Sequence, residues 1–195
     1  MKKYKPTTPS RRGMTGISYR DSLTVSEPHK KLTGGFKRSV GRNNQGRITT
    51  RHKGAGHKRL YRDIDFTYNK RDISAKIETV EYDPNRTAFI SLVCYSDGER
   101  RYVITPKTLK VGDQIIVSEK APITAGNGLP LNNIPVGAFV YNIELKPKGG
   151  AKMVRSAGNY AEVIAHDEGY ALLKMPSSEV RKINGACFAT VGEVS

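Results

Sequence analysis

The sequence predicts a mainly β protein: two small consecutive barrels behind a long, basic, irregular N-terminal arm. Three observations carry this. The whole net charge of +15 falls in residues 1–71, where 19 of the 33 Lys and Arg are opposed only by Asp21, Glu27, Asp63 and Asp65, while the other 124 residues hold 14 basic and 14 acidic side chains. From Ile73 onward, short β-type runs alternate with strong turn signals. No segment offers an amphipathic helix longer than about three turns. A single β-sandwich of the same strands is the alternative architecture.

Residues 1–71 form the arm. Pro6, Pro9 and Pro28 interrupt it, and between Gly34 and Gly56 six glycines alternate with six cations. Such a segment cannot bury enough apolar surface to fold by itself. Its charge points to a polyanion partner, because each phosphate neutralised by Lys or Arg releases a condensed counterion. A purely solvated arm is the alternative, but self-repulsion keeps such an arm extended unless something neutralises it. With 37% hydrophobic residues and a mean hydropathy of −0.53, the chain fits a core that shares its length with a solvated arm.

Residues 72–119 read as the first barrel. Ile73, Ala75 and Ile77 alternate, then Val80 and Tyr82 continue in the other phase, a slip that signals a bulge or strong bend. Arg86–Tyr95 and Glu99–Thr105 flank Asp97-Gly98 as a hairpin. Residues 120–137, with Pro122, Gly126, Gly128, Pro130, Asn132, Asn133, Pro135 and Gly137, read as a linker. Residues 138–195 read as the second barrel, with strands at Ala138–Leu145, Tyr160–His166, Tyr170–Met175, Glu179–Ile183 and Cys187–Val191.

Several function classes are set aside. No apolar run of about 18 residues exists, so no membrane span is expected. The N-terminus has no apolar stretch of a secretory signal. It is basic, hydroxyl-rich and acid-free as far as Asp21, like an organellar transit peptide, but the basic character continues to Arg71. Cys94 and Cys187 have no partner at metal-ligand spacing, and the apolar run around Cys94 suggests a buried thiol in a reducing compartment. No nucleophile elbow, HExxH or apolar carboxylate pair is present, and three of four histidines lie in the basic arm, so an enzyme is not expected. No cofactor is expected, and any Mg²⁺ would be RNA-bound.

The chemistry-bearing stretches are therefore cationic. Gly41 to Ile48 has the two-glycine spacing of a phosphate-binding loop but lacks its Lys and Ser/Thr. Its glycines let backbone approach a nucleic-acid phosphate, Arg42 and Arg47 supply charge, and Asn43, Asn44 and Gln45 supply neutral hydrogen bonds. The stretch with Arg51, His52, Lys53, His57, Lys58 and Arg59 repeats the design. Its cationic neighbours would repel a metal from the histidines, which leaves phosphate or base contact. Tyr4, Tyr19, Phe36, Tyr61, Phe66 and Tyr68 are interleaved with these cations, available to stack on unpaired bases or to pack against a barrel. In the neutral part, Arg86 follows the turn Asp83-Pro84-Asn85 and is expected to be displayed at a hairpin end. Lys146, Lys148, Lys152 and Arg155 surround Gly149-Gly150 with no acid among them.

Longer motifs resemble a known family. Gly41-Arg42-Asn43-Asn44-Gln45-Gly46-Arg47-Ile48-Thr49 and Gly56-His57-Lys58-Arg59-Leu60-Tyr61-Arg62 are similar to the basic arm of the ribosomal L2 family, in its bacterial or organellar form. Glu81 to Arg86, Leu109 to Asp113, Leu129 to Gly137, Arg155 to Gly158 and Ala189 to Val194 extend the resemblance from about Lys5 to Ser195. It implies an OB-fold barrel followed by an SH3-like barrel, flanked by extensions that penetrate ribosomal RNA. It also implies a large-subunit protein that binds ribosomal RNA near the peptidyl-transferase region and supports assembly and subunit association. Neighbouring ribosomal proteins and a small-subunit contact are further implied partners. By the same resemblance Arg86 and Arg155 contact RNA, joined by the arm residues above and by Arg62. The basic C-terminal extension of longer members has no counterpart here. A non-ribosomal RNA chaperone or translation factor built from similar barrels is the alternative function, and an organellar ribosome the alternative to a bacterial cytoplasmic one.

Overall fold

The computed structural model describes residues 1–195. Two curled antiparallel sheets carry the fold, consistent with the mainly β class and the small barrels expected. The first orders its strands as Arg100–Ile104, Ile90–Tyr95, Ala75–Glu81 and Gln114–Ile115. Its register explains the phase slip in the sequence: Ile77 faces Val93 and Thr79 faces Leu92, so Glu78 is an extra residue. The bulge bends the strand and brings Val80 into the core with Ala75, Ile77, Val93 and Tyr95. The hairpin at Asp97-Gly98 closes with Tyr95 N–H donating to the Glu99 carbonyl at 2.9 Å, and Gly98 takes the positive φ of 86° that the turn needs.

The second sheet orders Val180–Asn184, Tyr170–Lys174, Ala161–Asp167, Phe139–Tyr141, Phe188–Val191 and Gly128–Pro130. Alternate residues along its strands (Ala161 and Val163, Ala171 and Leu173) are fully buried and build the main core cluster of 18 residues. Ala88 and Ile104 of the first barrel belong to that same cluster. The two barrels are also stitched by a bridge between Pro106 and Val194 and by Ser195 N–H donating to the Thr105 carbonyl at 3.0 Å.

Three expectations change. Residues 120–137 are not a spacer: Gly128–Pro130 pairs with Phe188–Val191, and Leu129, Leu131 and Ile134 are buried in the main core. Their Gly, Pro and Asn content marks an edge strand and a 3₁₀ turn at Leu131–Asn133, where proline is tolerated because its missing N–H faces away from the ladder. Cys94 is only half-buried, since it pairs with the exposed Lys76 and Arg100 on the outer face of the first sheet, whereas Cys187 is fully enclosed and its thiol is pushed up to about 11 by burial and then by the Glu144 carboxylate. Burial also begins before residue 72. Ile64 and Tyr68 are in the core and Phe66 is half-buried, an alternation masked in the sequence by the surrounding cations.

No residue before Arg62 is buried. The arm holds a two-residue ladder of Lys2–Lys3 with Thr15–Gly16, single helical turns at Pro9–Arg12 and Tyr19–Ser22, and a hairpin whose strands are Thr33–Gly35 and Leu60–Arg62. Thr24 ties it to the first barrel: its N–H donates to the Val80 carbonyl at 3.0 Å, and its hydroxyl oxygen accepts from Val80 N–H at 2.9 Å.

Candidate nucleic-acid interface

The predicted contact residues fall into two neighbouring groups. Ten of them lie on the long loop of the Thr33–Gly35/Leu60–Arg62 hairpin: Arg42, Asn43, Asn44, Arg47, Arg51, His52, Lys53, His57, Lys58 and Arg59, all exposed. No Asp or Glu occurs between Glu27 and Asp63, so nothing within the loop neutralises these charges. The loop has internal order. Asn43 Oδ1 accepts from Gln45 N–H at 3.0 Å and Arg47 N–H at 2.9 Å, and Arg42 bridges Ile48 across the turn. Asn43 is thus the organiser of a tight turn, with Arg42 and Arg47 held at its two ends and Asn44 at its tip. The Gly41 carbonyl accepts from Thr49 N–H at 2.7 Å and Thr50 N–H at 3.1 Å. Gly41 itself has φ +72°, and a Cβ there would overlap the Thr50 carbonyl oxygen, so the position requires glycine.

The second group gathers at Phe66, between the barrels. The Arg86 guanidinium carbon lies 5.6 Å from the Phe66 ring centre and that of Arg155 4.6 Å. Arg86 comes from the first barrel and Arg155 from the second, so neither barrel makes this pair alone. The turn before Arg155 is positioned from below. Ala151 N–H donates to the Phe66 carbonyl at 2.7 Å, and the fully buried Glu144 accepts from Gly150 N–H and from Phe188 N–H, each at 3.0 Å. Lys146, Lys148 and Lys152 project from this turn into solvent.

Arg86 is not displayed freely at a hairpin end. Its Nε donates to Asp83 Oδ2 at 2.6 Å, and Asp83 is 0% exposed. The other carboxylate oxygen of Asp83 accepts from Asn85 N–H at 2.9 Å. The Asp-Pro-Asn sequence reads as a turn that shows Arg86 off; in the fold the same aspartate grips Arg86 by one nitrogen and leaves its two terminal nitrogens without a protein hydrogen bond. Asp83 is the residue that sequence reasoning missed as a positioning group, and the i, i+3 spacing to Arg86 was its signal. Asn85 Nδ2 donates to the Leu60 carbonyl at 2.8 Å, which places this turn against the foot of the basic loop and joins the two groups.

Arg62 is the exception among the predicted contacts. It is 8% exposed, its Nη1 donates to the Leu60 carbonyl at 3.0 Å, and its Nε has no partner. Its place is at the base of the hairpin, where the arm enters the body, and not on the outer surface of the loop. Near it, Tyr102 hydroxyl donates to the buried Glu81 at 2.7 Å and accepts from His29 N–H at 2.7 Å. No group of three or more His, Cys, Asp or Glu is placed to hold a metal ion. The chemistry of the whole interface is therefore that of fixed and flexible cations with aromatic faces and amides among them. That combination binds phosphate-rich polymers through charge, and reads them through groups held in fixed geometry.

Comparison with known proteins agrees. Residues 29–117 match the family described as Ribosomal Proteins L2, RNA binding N-terminal domain, and residues 124–195 match Ribosomal Proteins L2, C-terminal domain. The large ribosomal subunit protein uL2 of Hyphomonas neptunium is 52% identical over 195 residues, spanning 100% of this chain and 70% of that protein. The two matched regions meet between residues 117 and 124, ahead of the buried strand Gly128–Pro130. With its acid-free cationic loop and its paired arginines inside those regions, the chain belongs to the ribosomal protein L2 family.

Proposed function

We propose that this chain is a structural, non-catalytic constituent of the large ribosomal subunit that binds ribosomal RNA. The observation that carries the reading is the hairpin loop: eight Lys and Arg lie from Lys37 to Arg59, with no acid, on a hairpin whose base is held against the first barrel. The loop supplies charge and depth of penetration. The Arg86–Phe66–Arg155 site supplies fixed geometry, because a guanidinium can clamp phosphate or a guanine edge bidentately. Lys148 and Lys152 add phosphate contacts beside it.

In this role the protein holds folded RNA together during subunit assembly, near the peptidyl-transferase region, with other ribosomal proteins as neighbours and a face available to the small subunit. The 52% identical relative comes from Hyphomonas neptunium, which favours a bacterial cytoplasmic ribosome over an organellar one. Any Mg²⁺ at the interface is carried by the RNA. The test is sedimentation: the protein should comigrate with the large subunit and stay with it through a high-salt wash. Release at moderate salt into ribosome-free fractions would instead identify a diffusible RNA chaperone or translation factor.

A further inference from the structure

The arm's aromatic residues are not used alike. Tyr4 lies under Lys2 and Arg11, and Tyr19 packs edge-on against Tyr82 and Phe89. Phe36 and Tyr61 stack on each other at the root of the basic loop, with ring centres 5.9 Å apart and planes inclined by 27°. They remain 47% and 41% exposed. Phe36 forms one wall of a cavity of about 300 Å³ whose other walls include Lys37, Arg38, His57, Lys58 and Arg59. Another wall is fixed: Arg38 Nη1 donates to the Ala55 carbonyl at 2.6 Å, and Gly56, with φ +63°, lets the backbone turn past that guanidinium. A concavity of this size suits a planar ring system.

We propose that this cavity receives a single unstacked RNA base, which lies on the Phe36 face while Lys58 and Arg59 hold its flanking phosphates. The inference deepens the ribosomal RNA reading and rests on it. Four cations and no acid line the cavity, which selects an anion, and an exposed aromatic wall selects a flat π system; a nucleotide carries both in one unit. A base inside a duplex offers no free face, so the target is a bulged or looped-out nucleotide. The two contributions also differ in their response to salt. Phosphate contacts weaken as salt rises, whereas stacking on Phe36 is insensitive to it.

The test uses the full chain and two hairpin RNAs identical except for one bulged adenosine. The parent should bind the bulged RNA more tightly by about 5- to 150-fold, the range for one stacked base. Phe36→Leu, which keeps apolar bulk at the root of the loop, should abolish that preference while leaving the paired hairpin's affinity and the salt slope unchanged. Because the chain has no tryptophan, Phe36→Trp introduces a unique fluorophore, and its emission should be quenched by the bulged RNA and not by the paired one. Equal weakening of both RNAs by Phe36→Leu, or a shallower salt slope, would overturn the inference and make Phe36 a mere support of the hairpin. Equal parent affinity for the two RNAs would overturn it while leaving RNA binding intact. Binding of neither would remove the functional reading as well.

Discussion

Arg86 and Arg155 approach the same ring, yet they should respond to mutation in opposite ways. Arg86 is the only cation hydrogen-bonded to Asp83, whose carboxylate is fully buried. Arg86→Ala leaves that charge with a single N–H donor from Asn85, and stripping one partner from a buried pair costs about 3–5 kcal/mol. For a chain of this size, about 2–4 °C per kcal/mol converts that to a melting point lowered by roughly 6–20 °C. Arg155 is half-buried, makes one long bond of 3.4 Å to the Ala151 carbonyl, and lies over Phe66. Its removal should cost no more than about 1 kcal/mol, the scale of a partly exposed cation–π contact. On RNA the order changes: Arg155→Lys keeps the charge and should still lose about 1–3 kcal/mol on the cognate ribosomal RNA, and almost nothing on a random RNA of equal length. Urea denaturation with filter binding measures both quantities on the same samples. The double variant Asp83→Ala/Arg86→Ala should recover much of the stability lost in Arg86→Ala, because no orphan charge remains. Equal destabilisation by Arg86→Ala and Arg155→Ala, or a double variant no more stable than Arg86→Ala, would refute the assignment of Asp83 as the holder of Arg86.

Three further outcomes are expected. Gly41→Ala should weaken RNA binding while leaving the barrels' melting temperature unchanged by circular dichroism, since its Cβ meets only the loop's own Thr50 carbonyl and Lys53 side chain. Tyr68→Phe should cost about 1–3 kcal/mol in urea denaturation, because the buried hydroxyl donates to the Asn142 carbonyl and bonds Thr190 Oγ1, each at 2.6 Å. Asp65 gives a pH dependence: burial raises its carboxyl, but hydrogen bonds from Thr67 and Arg101 more than offset this and hold it below the ordinary 3.8. A depressed carboxyl stabilises the fold above its unfolded value and loses that contribution as pH falls through the folded one. The melting temperature should therefore drop from roughly pH 4 downward, and Asp65→Asn should flatten that acid limb.

Local signals in the sequence proved sufficient where the structure is itself local. The hairpin at Asp97-Gly98 and the bulge after Ile77 lie where the turn residues and the slip in apolar spacing put them. Long-range closure was not legible. Leu129, Leu131 and Ile134 are embedded in glycines, prolines and asparagines, and only pairing with Phe188–Val191 turns that composition into an edge strand. Ile64, Phe66 and Tyr68 alternate like a strand, but Arg62, Lys70 and Arg71 around them made the segment read as arm. The site shows the same division. The cations of residues 42–59 are visible in the sequence because charge is additive along the chain. The meeting of Arg86 and Arg155 over Phe66 joins three distant segments and exists only once both barrels have closed.

The central claim is that the acid-free loop is the main contact with RNA, and its most direct measurement is the salt dependence of ribosomal RNA affinity. If the eight cations from Lys37 to Arg59 meet phosphate, the slope of log K against log salt should be about −6 to −7, at roughly 0.7–0.9 per contact. Replacing Arg42, Arg47, Arg51 and Lys53 together by Gln should bring it to about −3 to −4. A parent slope already shallower than about −3, or one unchanged by the fourfold replacement, would contradict the account and assign the interface to the barrels.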